Sequence, residues 1–252
     1  MASTINASTT STSGLLQTAD ASGILQLQSN GTTGLTVGSG GVITAANGII
    51  MSGMTLGTAT TGEFEYDGGE LYFTPLGTQR GLIPNMQYFR LDSNLVGSNA
   101  TGGQNILGVG CTLSSGVVYA FEALYALSKT AGTTSHTVNL GFGGTATVNN
   151  IAYTNTGLFT AAAFTDASVS PDVMTFVQTT TLTAVTTATT TATVRFMTRL
   201  SGTVSVANGG TFIPQYSLSA APGGAYTIQL GSYFLIYPIG NAGSKTSIGT
   251  WA

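Results

Sequence analysis

Residue types that can do chemistry are scarce in this chain, and four of them sit together. It has nine Asp and Glu residues in 252 positions, and Glu63, Glu65, Asp67 and Glu70 all fall within "GEFEYDGGELYFTP", residues 62–75. Gathered carboxylates can bind a cation, share a proton or work as an acid–base pair. A calcium loop needs a bidentate Glu at position twelve, and counting from Glu63 that position is Thr74. Nothing in the sequence fixes the separation that a glycosidase-type acid pair requires.

The other reactive types are single. His136 is the one histidine and Cys111 the one cysteine, so a Ser-His-Asp or Cys-His arrangement would have to use them. No nucleophile signature surrounds either residue. One His and one Cys leave most ligands of a zinc site unsupplied, and one cysteine excludes an intrachain disulfide. Cys111 reads as a small buried apolar residue and His136 as a structural residue at a strand start. "GFGG" at 141–144 leads into "TATVNN" rather than a helix or Gly-Lys-Ser/Thr, so it is no phosphate loop. Asn99-Ala100-Thr101 fits a glycosylation acceptor, but no secretory signal is recognisable before it. The residues point to a non-enzyme with no catalytic site, no metal and no cofactor.

The elements that position these residues are strands. Charged residues make up 6% of the chain, against about 25% in ordinary soluble domains. Helix formers are few, whereas Thr, Val, Ile, Tyr, Phe and 35 glycines favour strands and turns. Six Lys and Arg residues and a net charge of −3 give no nucleic-acid footprint. No apolar run reaches the ~20 residues that span a bilayer, so membrane insertion is not expected.

Three regions follow in order. Residues 1–60 hold short apolar bursts closed by turn formers: "GILQLQSNG" at 23–31, "TGLTVGSGG" at 33–41 and "GVITAANGI" at 41–49. Strands this short, with one thin apolar face, cannot bury enough surface alone to offset ordering entropy. Either the segment is disordered or neighbouring copies complete its core; the regular Leu, Ile and Val positions over 15–56 argue against disorder there, and three copies winding together would complete the core. Ile5, Leu15, Leu16, Ile24, Leu25 and Leu27 are the candidate attachment residues.

Residues 61–85 read as a connecting β-hairpin. A turn at Gly68-Gly69 sets Phe64 opposite Phe73 and puts Phe64, Tyr66, Leu71 and Phe73 on an apolar face. Glu63, Glu65, Asp67, Glu70 and Tyr72 then form the other face, expected to be the wet one. A turn at Asp67-Gly68 is the rival register. Either sets like charges opposite each other, which Arg80 or Arg90 could relieve.

From residue 86 the strands lengthen: "MQYFRLDSNLV", "GVVYAFEALYAL", "HTVNLGF", "DVMTFVQT", "ATVRFMTRL", "TFIPQYSLS" and "GSYFLIYPIG". Eight to ten strands without a convincing helix read as a β-sandwich of jelly-roll type over 86–252. The fold class is all-β: an extended N-terminal segment of short strands, a connecting hairpin, then the sandwich. "TTTLTAVTTATTTAT" at 179–193, with ten Thr in fifteen positions, reads as a strand and loop at a subunit surface.

The same stretches carry a family resemblance. "QTADASGILQLQSNGTTGLTVG" at 17–38, "GEFEYDGGELYFTP" followed by "QRGLIPNMQYFRL" at 79–91, residues 112–153 and the closing "YFLIYPIG…SIGTWA" resemble tail-fibre, head-fibre and capsid-decoration proteins of tailed bacteriophages. That resemblance implies a homotrimer in the virion, assembled in the host cytoplasm and released by lysis. Its N-terminus would dock on other virion proteins of the tail, neck or capsid. Its C-terminal β-domain would project, with host surface glycan as a partner. Long repetitive shafts and enzymatic barrels, common in tail fibres, are missing, which favours a short fibre or spike. A cement protein on the capsid lattice and a polysaccharide-degrading virion enzyme are the alternatives.

Overall fold

The computed structural model describes residues 22, 24–29, 32–46, 48–53, 55–68, 70–160 and 173–242. Ile5, Leu15 and Leu16 lie outside them. The chain forms two units, 1–52 and 53–252.

The N-terminal unit is a three-stranded antiparallel meander of β1 (Leu25–Ser29), β2 (Thr32–Val37) and β3 (Ile43–Ala45). Leu27 pairs with Leu35 and Leu35 with Ala45. The strands match the three apolar bursts, and the Gly38–Gly41 turn closes with Gly41 N–H donating to the Gly38 carbonyl at 2.9 Å.

The second unit begins with a small antiparallel sheet of β4 (Phe64–Tyr66), β5 (Leu71–Leu76) and β6 (Gln79–Leu82). Phe64 pairs with Phe73 and Tyr66 with Leu71, the register of a Gly68-centred turn. Gly68 adopts φ 98°, which favours a residue without a Cβ. The expected hairpin has a third strand. Pro75 lacks an N–H and lies at a register shift, after which the chain turns at Gly77 and β6 returns along β5.

The rest is a β-sandwich with a jelly-roll-like arrangement. Its strands are β7 (Gln87–Arg90), β8 (Leu95–Val96), β9 (Gln104–Asn105), β10 (Cys111–Leu113), β11 (Val117–Lys129), β12 (Val138–Gly143), β13 (Thr147–Thr160), β14 (Val173–Val177), β15 (Thr183–Ala184), β16 (Val194–Asn208), β17 (Gly210–Leu218), β18 (Thr227–Ile228) and β19 (Tyr233–Asn241). One sheet runs β14-β13-β16-β11, and β11 is then flanked by β19 with β7 and by β18 with β8. The other runs β10-β17-β12-β15, with β9 also on β17. All pairings are antiparallel.

Alternation decides which side chains enter the core. Along β11 every second residue from Val117 to Lys129 is buried. In β16, Val194, Phe196 and Thr198 point inward while Arg195, Met197 and Arg199 face outward. The two sheets meet at an aromatic cluster. Phe142 stacks on Phe212 at 4.4 Å, and Phe121, Tyr153 and Phe234 pack around them at 5.3–6.5 Å. Each such ring pair adds about 0.5–1.5 kcal/mol beyond its area burial.

Candidate functional site

The acidic cluster is the first place to look, and its geometry inverts the expected polarity. The apolar side chains share a face, with Phe64 and Phe73 rings 4.7 Å apart, but Phe64 is 57% exposed and Tyr66, Leu71 and Phe73 are half-buried. Of the side chains expected to be wet, Glu65, Glu70 and Tyr72 are buried and Glu63 and Asp67 are half-buried, and Thr74 on the same sheet is buried as well. Alternation divides residues between two faces and cannot say which face is dry.

The irregular stretch 53–62 supplies the cover. The backbone at Gly53 meets that at Gly68, Ala59 is buried, and Thr61 Oγ1 donates to the Gly77 carbonyl at 3.2 Å. Apart from Gly62 N–H, which donates to the Thr74 carbonyl of β5 at 2.7 Å, a covering strap outside the strands brings backbone polar groups that need hydrogen bonds. Polar side chains beneath it supply them. Thr60 N–H donates to Glu63 Oε2 at 2.9 Å, and Arg80 donates to the Gly57 carbonyl at 2.7 Å.

Arg80 also grips Glu65 with two bonds, Nε to Oε2 at 2.5 Å and Nη2 to Oε1 at 2.8 Å. This bidentate pair holds the Glu65 carboxyl below the ordinary carboxylate range, because the Arg80 hydrogen bond stabilises the ionised form. Asp67 Oδ1 accepts from Glu70 N–H at 2.7 Å and so caps the turn. The Tyr72 hydroxyl lies 2.5 Å from Glu70 and 3.1 Å from Asp67, and separates these facing acids. Of the two arginines expected to relieve the charge, Arg80 does so; Arg90 pairs with Asp92 instead. Every acid in the group anchors backbone, arginine or tyrosine. Among the described residues, no three His, Cys, Asp or Glu side chains are placed to hold a metal ion.

His136 is buried. Its Nδ1 lies 2.8 Å from the Thr134 carbonyl, which can only accept, so Nδ1 carries the proton and Nε2 accepts from the Tyr226 hydroxyl at 2.8 Å. Burial depresses its pKa, and Lys129 adds to the effect. Cys111 is buried with its thiol donating to the Phe212 carbonyl, and burial pushes its pKa up to about 11. Both side chains are engaged in hydrogen bonds inside the sandwich.

Lys129 carried no signal in the sequence. It is buried at the end of β11 and donates to the carbonyls of Ala131, Gly132, Thr191 and Ala192 at 2.6–3.3 Å. It pins the far end of the Thr-rich tract, whose Thr189 bridges His136 and whose β15 edges the smaller sheet. Val185 and Thr186 within that tract are buried, so it is stitched into the sandwich as well as exposed.

The N-terminal unit presents the opposite case. Ile24, Leu25 and Leu27 are 44–48% exposed, and Val42, Ile43, Ile49 and Ile50 range from 64% to 98%. Among its described residues none is buried.

No protein-family model matches the chain, and no curated protein matches it. Solved structures of infectious bursal disease virus align in part. The Gx-strain structure is 10% identical over 66% of this chain and 46% of its own, with a TM-score of 0.15. The VP2 subviral particle is 8% identical over 72% of this chain and 51% of its own, also with a TM-score of 0.15. The chain thus spans about half the length of these viral chains. A TM-score this low does not establish a shared fold.

Proposed function

We propose that the chain is a non-enzymatic structural protein of a tailed-phage virion, forming a short homotrimeric fibre or spike. The N-terminal unit docks on other virion proteins, and the C-terminal sandwich projects toward host-surface glycan. Residues 17–38, 62–75, 79–91 and 112–153, which resemble such proteins, support this reading together with the all-β sandwich.

The observation that carries it is the exposed apolar surface among the described residues of the N-terminal unit. Seven large apolar side chains of that unit stand exposed, Leu25, Leu27 and Ile43 in its strands and Ile24, Val42, Ile49 and Ile50 outside them. Covering a Leu or Ile gains about 1.5–3 kcal/mol, so seven give on the order of 10 kcal/mol per copy. That is comparable to the ~4–15 kcal/mol cost of association. In the second unit, exposed Phe64 with half-buried Tyr66, Leu71 and Phe73 beside it offers another apolar patch. The acids are committed to holding the strap, which argues against a hydrolytic role for them.

Copy number and position in the particle test the reading. A map of the virion that places this chain in threefold projections, at a few dozen copies or fewer, supports it. Hundreds of copies tiling the capsid lattice would make it a cement protein. Release of reducing sugars from host polysaccharide by the purified chain would make it an enzyme.

A further inference from the structure

One depression in the sandwich is lined without a charged side chain and built by two interruptions of strand pairing. It lies on the outer face of the larger sheet, with a volume of about 480 Å³, and Val118, Asn149, Asn150, Ser205, Ile239 and Asn241 line it. Volumes of roughly 300–1,000 Å³ are typical of small-ligand sites.

Val118 of β11 and Ser205 of β16 face each other at its centre. On one side, β13 pairs Val148 with Val206 and Asn150 with Ser205, so Asn149 is an extra residue in the ladder. On the other, β19 pairs Gly240 with Val118 and Pro238 with Tyr119, so Ile239 is extra. The two strands flanking the central pair therefore bulge at the same level, and both extra residues line the same depression. Bulges re-aim side chains and are over-represented beside functional sites.

The chemistry of the lining selects a ligand class. Asn149 Nδ2 donates to Ser205 Oγ at 3.3 Å and is held in place. Neither Asn150 nor Asn241 has a side-chain hydrogen bond to another described residue, so each presents a donor and an acceptor outward. Val118 and Ile239 add apolar surface beside these amides. With no cation to pair an anion and no carboxylate to pair a cation, the site suits an uncharged molecule bearing hydroxyls on one side and C–H groups on the other. We infer that this twin-bulge depression binds a neutral saccharide ring, with Asn150 and Asn241 hydrogen-bonding its hydroxyls and Ile239 packing on its C–H face. This names the position and ligand class of the glycan contact in the proposed function, and rests on that reading.

Saturation-transfer difference NMR on the full chain tests it. The probes are lactose, maltotriose, diacetylchitobiose and rhamnose, with sialyllactose as the anionic comparison. At least one neutral sugar should give transfer at millimolar concentration and exceed sialyllactose. Asn150→Ala and Asn241→Ala should each weaken it by about fivefold to tenfold, whereas Thr154→Ala, elsewhere on the same face, should leave it unchanged. Circular dichroism of each variant verifies folding. No transfer from any neutral sugar, stronger binding of sialyllactose, or binding indifferent to both Asn variants would overturn the site. Sedimentation of the same samples reports the trimer separately, so the site can fail while the structural role stands.

Discussion

The two units of this chain use the same apolar residues in opposite ways. In the sandwich, Leu113, Leu127 and Ile228 are at most 1% exposed, covered by the facing sheet. In the N-terminal unit, Leu25 and Leu27 are nearly half exposed and Ile43 is 64% exposed, and its described strands form a single sheet. Strand formation needs only local alternation and turns, whereas a core needs a second layer. The small sheet of β4–β6 stands between these cases: its cover is an irregular strap, and the strap selects polar residues beneath it.

The largest test of this contrast is truncation in each unit. Phe142→Ala should lower the stability of the sandwich by about 3–5 kcal/mol, read from urea unfolding by near-ultraviolet circular dichroism. Leu27→Ala should move that same transition by less than about 0.5 kcal/mol and act on assembly instead. Equal losses would erase the distinction.

Next comes the strap. Glu65→Ala leaves the Arg80 guanidinium without its partner and should cost about 1–3 kcal/mol. Acid should separate the strap from the sandwich core. The Glu65 pKa is lowered in the fold, so its contribution is complete above about pH 4.5 and is lost as pH falls through the folded value. The His136 pKa is also lowered, so folding favours its neutral form; that contribution is complete above about pH 6.5 and declines as pH falls below it. A pH–stability profile should show the upper window disappear in His136→Gln and the lower one in Glu65→Gln.

A smaller effect has the opposite sign. The hydroxyls of Tyr125 and Tyr153 are buried with no hydrogen-bond partner among the described residues. Tyr125→Phe removes a desolvated polar group and keeps the ring, and should raise stability by about 1 kcal/mol. The smallest effect is expected on the sheet's outer face. Arg199 and Glu122 are 3.9 Å apart and well exposed, so Arg199→Ala should stay within about 0.5 kcal/mol of the parent.

Much of this architecture was legible in the chain. Val-rich alternation marked the long strands, turn clusters separated them, and "VRFMTRL" divides Val194, Phe196 and Thr198 from Arg195, Met197 and Arg199. The Phe64–Phe73 register was one of the two that the turn residues allowed. The covered face of that sheet was not legible, because the decision rests with residues 53–62, which have no periodicity. Arg80 was recognisable as a candidate partner, although its choice of Glu65 depends on β6. Lys129 gave no signal, because its four carbonyls come from loops up to 63 residues away. The twin bulges are properties of pairing, and neither Asn149 nor Ile239 differs locally from an ordinary strand residue.

The central claim is that the N-terminal sheet is completed by other copies of the chain. Sedimentation equilibrium of the full chain beside a 53–252 truncation tests it most directly. Three copies for the full chain and one for the truncation are expected. A monomeric full chain, or a truncation that still forms trimers, would contradict it.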